Sequence, residues 1–307
     1  MPPVHNVAAR SVKDWALLAA LSALWGSNFM FVKLAVATVP PATVVATRLL
    51  IGAVILVAVV RAMGYTFPPL GRAWRPYLWL ALIGNCLPFW FITWGQKFID
   101  SALAGILMAV MPLVTLLLAH FHVAGEHMTR NRVAGFLLGF LGIVALIGPD
   151  ALDGLGGSTL QIVAQLSVLV GAVCYAGNSV LSRVLLKGDV MVAAAGIITV
   201  AAVISLPVAL VVDQPWTLSP SRGSVLSLVW IGIGPTALAT LVYLALIGSA
   251  GPTFMSLVNY CIPVIALFLG VALLGEAPGA HAYTGLVLIL SGIALSQLRR
   301  ISVRREA

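Results

Sequence analysis

The sequence predicts an all-α integral membrane protein, with ten transmembrane helices arranged as two inverted five-helix repeats. Composition points there first: of 307 residues, 61% are apolar and 8% charged, with a mean hydropathy of +1.08. A soluble domain carries about 25% charged residues, so this chain has too few charges to cover a water-facing surface. The apolar runs are each near the ~20 residues that span a bilayer as helix. They are about twice the length of a barrel strand and do not alternate apolar with polar residues, which excludes a barrel. Finally, the chain repeats itself at a spacing of about 150 residues.

In chain order, spans are expected near 15–37, 41–61, 76–95, 101–122 and 131–148, then near 164–186, 190–211, 224–246, 252–274 and 280–298. The polar leader carrying Arg10, Lys13 and Asp14 passes into an apolar run without a convincing cleavage site. The first span is therefore read as retained, not as a signal peptide. Pro88, Pro112, Pro235 and Pro263 lie inside spans three, four, eight and nine. Each removes a backbone hydrogen bond and can kink its helix; singly each is equally well a static bend, and their occurrence in equivalent spans of both halves favours gating positions. Gly135, Gly139 and Gly142 in span five, with Gly285 and Gly292 in span ten, form small-residue faces suited to close packing between the halves.

The duplication places Trp25, Gly26, Ser27 and Asn28 over Tyr175, Ala176, Gly177 and Asn178, and Lys33 over Arg183. Gly125-Glu126 falls over Gly275-Glu276, Gly135 over Gly285, and Gly142 over Gly292, while Met111-Pro112 meets Ile262-Pro263 with one residue of slip. Residues 1–150 form the first repeat and 151–307 the second. Five spans is an odd number, so the second repeat enters the membrane upside down. That is the architecture of many secondary transporters, in which two similar halves exchange conformations around a site near the midplane.

The net charge of +8 is spread singly or in pairs between apolar runs, a pattern that sets topology and does not bind nucleic acid. With both termini cytoplasmic, Arg10, Lys13, Arg61, Arg72, Arg75, Arg130, Arg132, Arg183, Lys187, Arg299, Arg300, Arg304 and Arg305 lie inside, and Lys97 and Arg222 outside. Lys33 and Arg48 fall within spans; Lys33 is read as snorkelling and Arg48 as capping backbone carbonyls, in preference to anion recognition. No Asp or Glu lies at mid-span, which argues against a carboxylate proton relay. Glu126 and Glu276 are expected to satisfy free amides at the starts of spans five and ten.

Polar and aromatic side chains at mid-depth are costly unless used, and they cluster in spans one, three, four, six, eight and nine. The candidate substrate-binding residues are Trp25, Asn28, Asn85, Trp90, Trp94, Tyr175, Asn178, Tyr243, Asn259 and Tyr260. Asparagine offers donors and acceptors for a zwitterion, and aromatic faces receive an apolar side chain or an ammonium group. Singly, each residue is also explained by helix packing; the cluster is what points to a cavity. Cys86, Cys174 and Cys261 are isolated in apolar runs, so neither disulfide nor zinc site is indicated. His120, His122, Glu126 and His127 are read as boundary residues and not as metal ligands. No nucleophile, acid/base pair or metal motif indicates an enzyme, and no cofactor is implied.

The W-G-S-N element at 25–28, its Y-A-G-N echo at 175–178, the Pro112-to-Glu126 and Pro263-to-Glu276 elements, and G-I-V-A-L and G-I-A-L in spans five and ten carry a family resemblance. The chain resembles the EamA family of the drug/metabolite transporter superfamily over nearly its whole length, and within it bacterial aromatic amino-acid exporters. That resemblance implies a basket of six spans (one, three, four, six, eight and nine) around a central cavity. It implies export of amino acids, aromatic and other neutral ones, and related metabolites across a bacterial inner membrane, with amino acids and lipid as partners. The chain lacks the span-one carboxylate of the superfamily's short multidrug pumps, which argues against proton-coupled drug export. A nucleotide-sugar or other phosphorylated-metabolite carrier is the alternative, and monomer and homodimer both remain open.

Overall fold

Apolar runs that cannot face water close on one another as helices, because in lipid every backbone polar group must be satisfied internally. The computed structural model describes residues 11–122, 128–147, 159–186 and 188–297. The first five helices are α1 (Val12–Val36), α2 (Pro41–Ala62), α3 (Arg72–Gly95), α4 (Ser101–His122) and α5 (Arg130–Ile147). The second five are α6 (Thr159–Leu185), α7 (Val190–Val212), α8 (Arg222–Gly251), α9 (Val258–Leu274) and α10 (Ala280–Gln297). No end departs from its expected span by more than six residues. The largest difference, at the start of α9, has a local cause. Gly251 at φ 79° ends α8, and a helical turn at 252–255 then leads through 256–257 into α9.

Side chains close the helix ends where backbone amides are left free. Ser11 and Asp14 form a reciprocal capping box at α1, Asp189 accepts from Met191 N and Val192 N at α7, and Ser221 caps α8. Three helices are broken or loosened in matching places. α3 makes a π turn at 82–86 and α8 one at 232–238; α4 breaks at 109–110, as the chain does at 256–257 before α9. Each lies close to one of the four prolines. A proline ring clashes with the carbonyl four residues earlier, so the irregularity falls mainly on the N-terminal side: Pro88 follows the first π turn, and Pro112 and Pro263 follow the two breaks.

α5 and α10 join the two repeats through their glycines, as expected. A Cβ on Gly135 would strike Gly292 O, and one on Gly142 would stand 2.9 Å from Ile289 N and 3.0 Å from Gly285 O. The backbones therefore touch, and dispersion replaces side-chain interdigitation.

Polar ties between the halves define the two ends of the bundle. At one end Thr38 Oγ1 donates to Ser224 Oγ (2.8 Å), and Asp213 Oδ2 accepts from Thr43 N and Thr43 Oγ1 (2.6 and 2.9 Å). At the other, Ser249 Oγ donates to Asp14 Oδ1 at 2.7 Å. Following the helices, Lys97 and Arg222 lie at the first end, and Lys13, Arg61, Arg72, Arg75, Arg130, Arg132 and Arg183 at the second.

Two expectations for charged residues are corrected. Glu276 does not serve α10: its carboxylate accepts from Ser101 N (2.7 Å) and Ala102 N (2.9 Å) at the start of α4. The reason is Gly275, whose left-handed conformation (φ 67°) folds the chain back and lets Glu276 N donate to Gly270 O at 3.1 Å. Lys33 does not snorkel; its Nζ donates to Gln96 O (3.1 Å) and Ile99 O (2.7 Å), closing the end of α3. Glu126 and His127 lie outside the described residues. Among the described residues no cluster of His, Cys, Asp or Glu suits a metal.

Candidate substrate cavity

The π turns and the helix breaks converge on a cavity of about 260 Å³ at mid-length of the helices. Asn85 comes from the π turn of α3, and Pro235 and Thr236 from that of α8. Met108, Ala109, Met111 and Pro112 flank the break in α4, and Asn259, Ile262 and Pro263 follow the break before α9. Discontinuous helices suit a transport site, because freed backbone groups can line a cavity but not face lipid.

The walls between these points mix aromatic and polar side chains. Trp25, Asn28 and Phe29 enter from α1, Phe89, Ile92 and Thr93 from α3, Tyr175 from α6, and Thr240 from α8. Phe89 and Tyr175 meet edge to face at 6.2 Å, and Trp25 leans on Tyr243 at 5.7 Å. Arg48 of α2 reaches in between the two. Its Nη2 donates to Asn28 Oδ1 at 3.1 Å, both Nε and Nη2 donate to Thr236 Oγ1 at 3.3 Å, and the guanidinium lies 3.8 Å over the Phe89 ring. Thr236 in turn donates to Ile231 O at 2.7 Å, which fixes its oxygen toward Arg48. Arg48 thus bonds side chains of both repeats and does not cap backbone carbonyls.

The profile of the EamA-like transporter family matches this chain twice, over residues 13–148 and 162–298. The chain belongs to that family. An inner membrane transporter of Escherichia coli (strain K12), YedA, described as uncharacterized, is 26% identical over 286 residues, covering 92% of this chain and 89% of its own. The aromatic amino acid exporter YddG of Ancylobacter novellus is 27% identical over 261 residues, covering 85% of this chain and 88% of its own. A solved crystal structure shares the fold at a TM-score of 0.66 with 24% identity, over 94% of this chain and 98% of that one. This EamA chain is therefore a multi-pass membrane transporter built on a twice-repeated unit.

The EamA cavity brings together five of the ten residues proposed from sequence, Trp25, Asn28, Asn85, Tyr175 and Asn259, with three of the four prolines, Pro112, Pro235 and Pro263. Trp90 and Trp94 do not line it. Asn85, Phe89, Ile92 and Thr93 share one face of α3, which turns the tryptophan stripe aside; Trp90 is 40% exposed and stacks on Trp94 at 6.4 Å. Tyr243 stands behind Trp25, and Trp94 and Tyr260 pack against the main apolar core. Asn178 is displaced to a notch left by Gly84, where its side chain fills the space of a missing Cβ. Pro88 is buried, with its carbonyl against α6 near Gly171. The expected six-helix basket is present, and α2 and α7 join it through Arg48 and Ile198.

Proposed function

We propose that this EamA transporter exports neutral amino acids, aromatic ones included, and related metabolites across a bacterial inner membrane. The observation that carries the reading is the convergence of matched irregularities from both repeats on one mid-membrane cavity. Rocking one repeat against the other around such a site exchanges access between the two membrane faces. The lining of three asparagines beside Trp25, Phe89 and Tyr175 suits a small solute with a polar head and an apolar or aromatic tail. The likeness to an aromatic amino acid exporter supports the same cargo. No Asp or Glu lines the cavity among the described residues, which favours facilitated diffusion or weakly coupled exchange over a carboxylate proton relay. In this reading both termini are cytoplasmic, on the side to which the positive-inside rule would bring the cation-rich end of the bundle.

The test is uptake of labelled phenylalanine by purified protein in liposomes without an imposed ion gradient, competed by methionine, threonine and a nucleotide sugar. Saturable uptake blocked by the amino acids and not by the nucleotide sugar is expected. Uptake at the empty-liposome level by folded protein overturns the reading.

A further inference from the structure

Arg48 is the cavity side chain whose chemistry a neutral lining does not explain. It sits within a 22-residue membrane helix, is 3% exposed, and lines the cavity. A charge there is expensive and is retained where it is used. Its partners among the described residues, Asn28, Thr236 and the Phe89 ring, are all uncharged. They orient the guanidinium without neutralising it.

The hydrogen-bond pattern shows which edge is committed. Thr236 Oγ1 occupies the fork between Nε and Nη2, and Asn28 Oδ1 takes a further bond from Nη2. Nη1 bonds none of these residues, so the open approach is the end shared by Nη1 and Nη2. A carboxylate that exchanges with Asn28 Oδ1 there makes the two parallel N–H···O bonds for which the guanidinium fork is suited. Charge balance selects among anions. One carboxylate neutralises the guanidinium, a phosphate dianion leaves an uncompensated negative charge, and a cation without a carboxylate adds only repulsion. Phe89, Tyr175, Met108 and Met111 then offer an apolar wall for the remainder of the molecule.

We propose that Arg48 docks the carboxylate of the cargo, so that the substrate class is apolar-tailed monocarboxylates and the amino group of an amino acid is tolerated but not required. The proposal rests on the transport reading for the use of the cavity and narrows it by chemistry.

Thermal stabilisation of the purified full-length protein by four probes tests it: phenylalanine, 3-phenylpropanoate, 3-phenylpropanamide and phenethylamine. The two carboxylates should stabilise at concentrations within about tenfold of each other, and the amide and amine should need more than about tenfold higher ones. Arg48→Gln should lose the carboxylate response and Arg48→Lys recover part of it. The amide acting as well as 3-phenylpropanoate on the unmutated protein overturns the proposal, whatever the variants do, and so does the absence of any response to 3-phenylpropanoate. Arg48-dependent stabilisation by 3-phenylpropanoate without phenylalanine uptake in liposomes keeps the docking role and removes the amino-acid reading. Phenylalanine uptake that Arg48→Gln leaves unchanged keeps that reading and removes the docking role.

Discussion

Asn28 lines the cavity and, before cargo takes its place, holds Nη2 of Arg48 in position, so its role is to orient the guanidinium. Asn28→Ala should lower transport by about tenfold or more without lowering the yield of folded protein; normal kinetics in a well-folded variant would remove Asn28 from the site. Asp100, in the turn before α4, has its carboxyl held above the ordinary range by burial and by the Glu276 carboxylate, with Lys33 opposing. An acid whose folded pKa is raised contributes stability fully below its unfolded value, and that contribution is lost as pH rises through the folded value. Asp100→Asn should therefore raise the melting temperature at pH 7, with the gain disappearing toward pH ~4. Asp100 makes no side-chain cap bond, so the substitution forfeits none. At this scale the sequence was half legible. Polar and aromatic residues in apolar spans point to Trp25, Asn28, Asn85, Tyr175 and Asn259, which the fold brings to one cavity, but nothing in one helix's composition tells which stripe faces inward. The Trp90–Trp94 stripe and the Phe89–Thr93 stripe are therefore indistinguishable in sequence, and only the fold turns the second one inward. Arg48 was visible as an intramembrane charge, yet its partners come from α1, α3 and α8, beyond the reach of local pattern.

Helices are the level at which hydropathy speaks most clearly, and all ten spans could be placed because a bilayer imposes a length as well as a composition. The irregularities were legible only as prolines. Where each helix gives way depends on which carbonyl is freed and on the neighbour that receives it, so the first π turn and the two breaks fall on the N-terminal side of their prolines, whereas the second π turn encloses Pro235. Small-residue faces are more predictive, since a glycine stripe on two helices has few uses except close approach. Gly292→Ala would place a Cβ 2.7 Å from Gly139 N and 3.1 Å from Gly139 Cα, backbone that cannot step aside. It should destabilise the protein by about 1–3 kcal/mol, read as a lower melting temperature. Gly248→Ala in α8, where a Cβ meets nothing within 4 Å, is the matched control and should be neutral or slightly stabilising. Equal losses from the two would show that helix propensity, not the α5–α10 contact, sets the effect.

The whole molecule combines a tie between the repeats at α5–α10 with polar clasps at the bundle ends, and the second repeat supplies acids to the first. Asp213 closes the start of α2 and Glu276 the start of α4, both at the end that carries Lys97 and Arg222. The proposed orientation rests on how the cations divide: of the nine loop or boundary cations among the described residues, seven lie at the opposite end, which the positive-inside rule would put in the cytoplasm. Lys97, Arg222, Arg72 and Arg130 are all exposed, so each is open to labelling without disturbing the cavity. In a background with Cys86, Cys174 and Cys261 replaced by alanine, Lys97→Cys and Arg222→Cys should react with a membrane-impermeant maleimide applied to intact cells. Arg72→Cys and Arg130→Cys should react only after the membrane is opened. The reverse pattern would turn the bundle over, and with it the clasped end, so that Asp213 and Glu276 would close the cytoplasmic side of the cavity. Labelling of all four from outside would break the odd count of five spans per repeat, and with it the inverted relation on which alternating access depends.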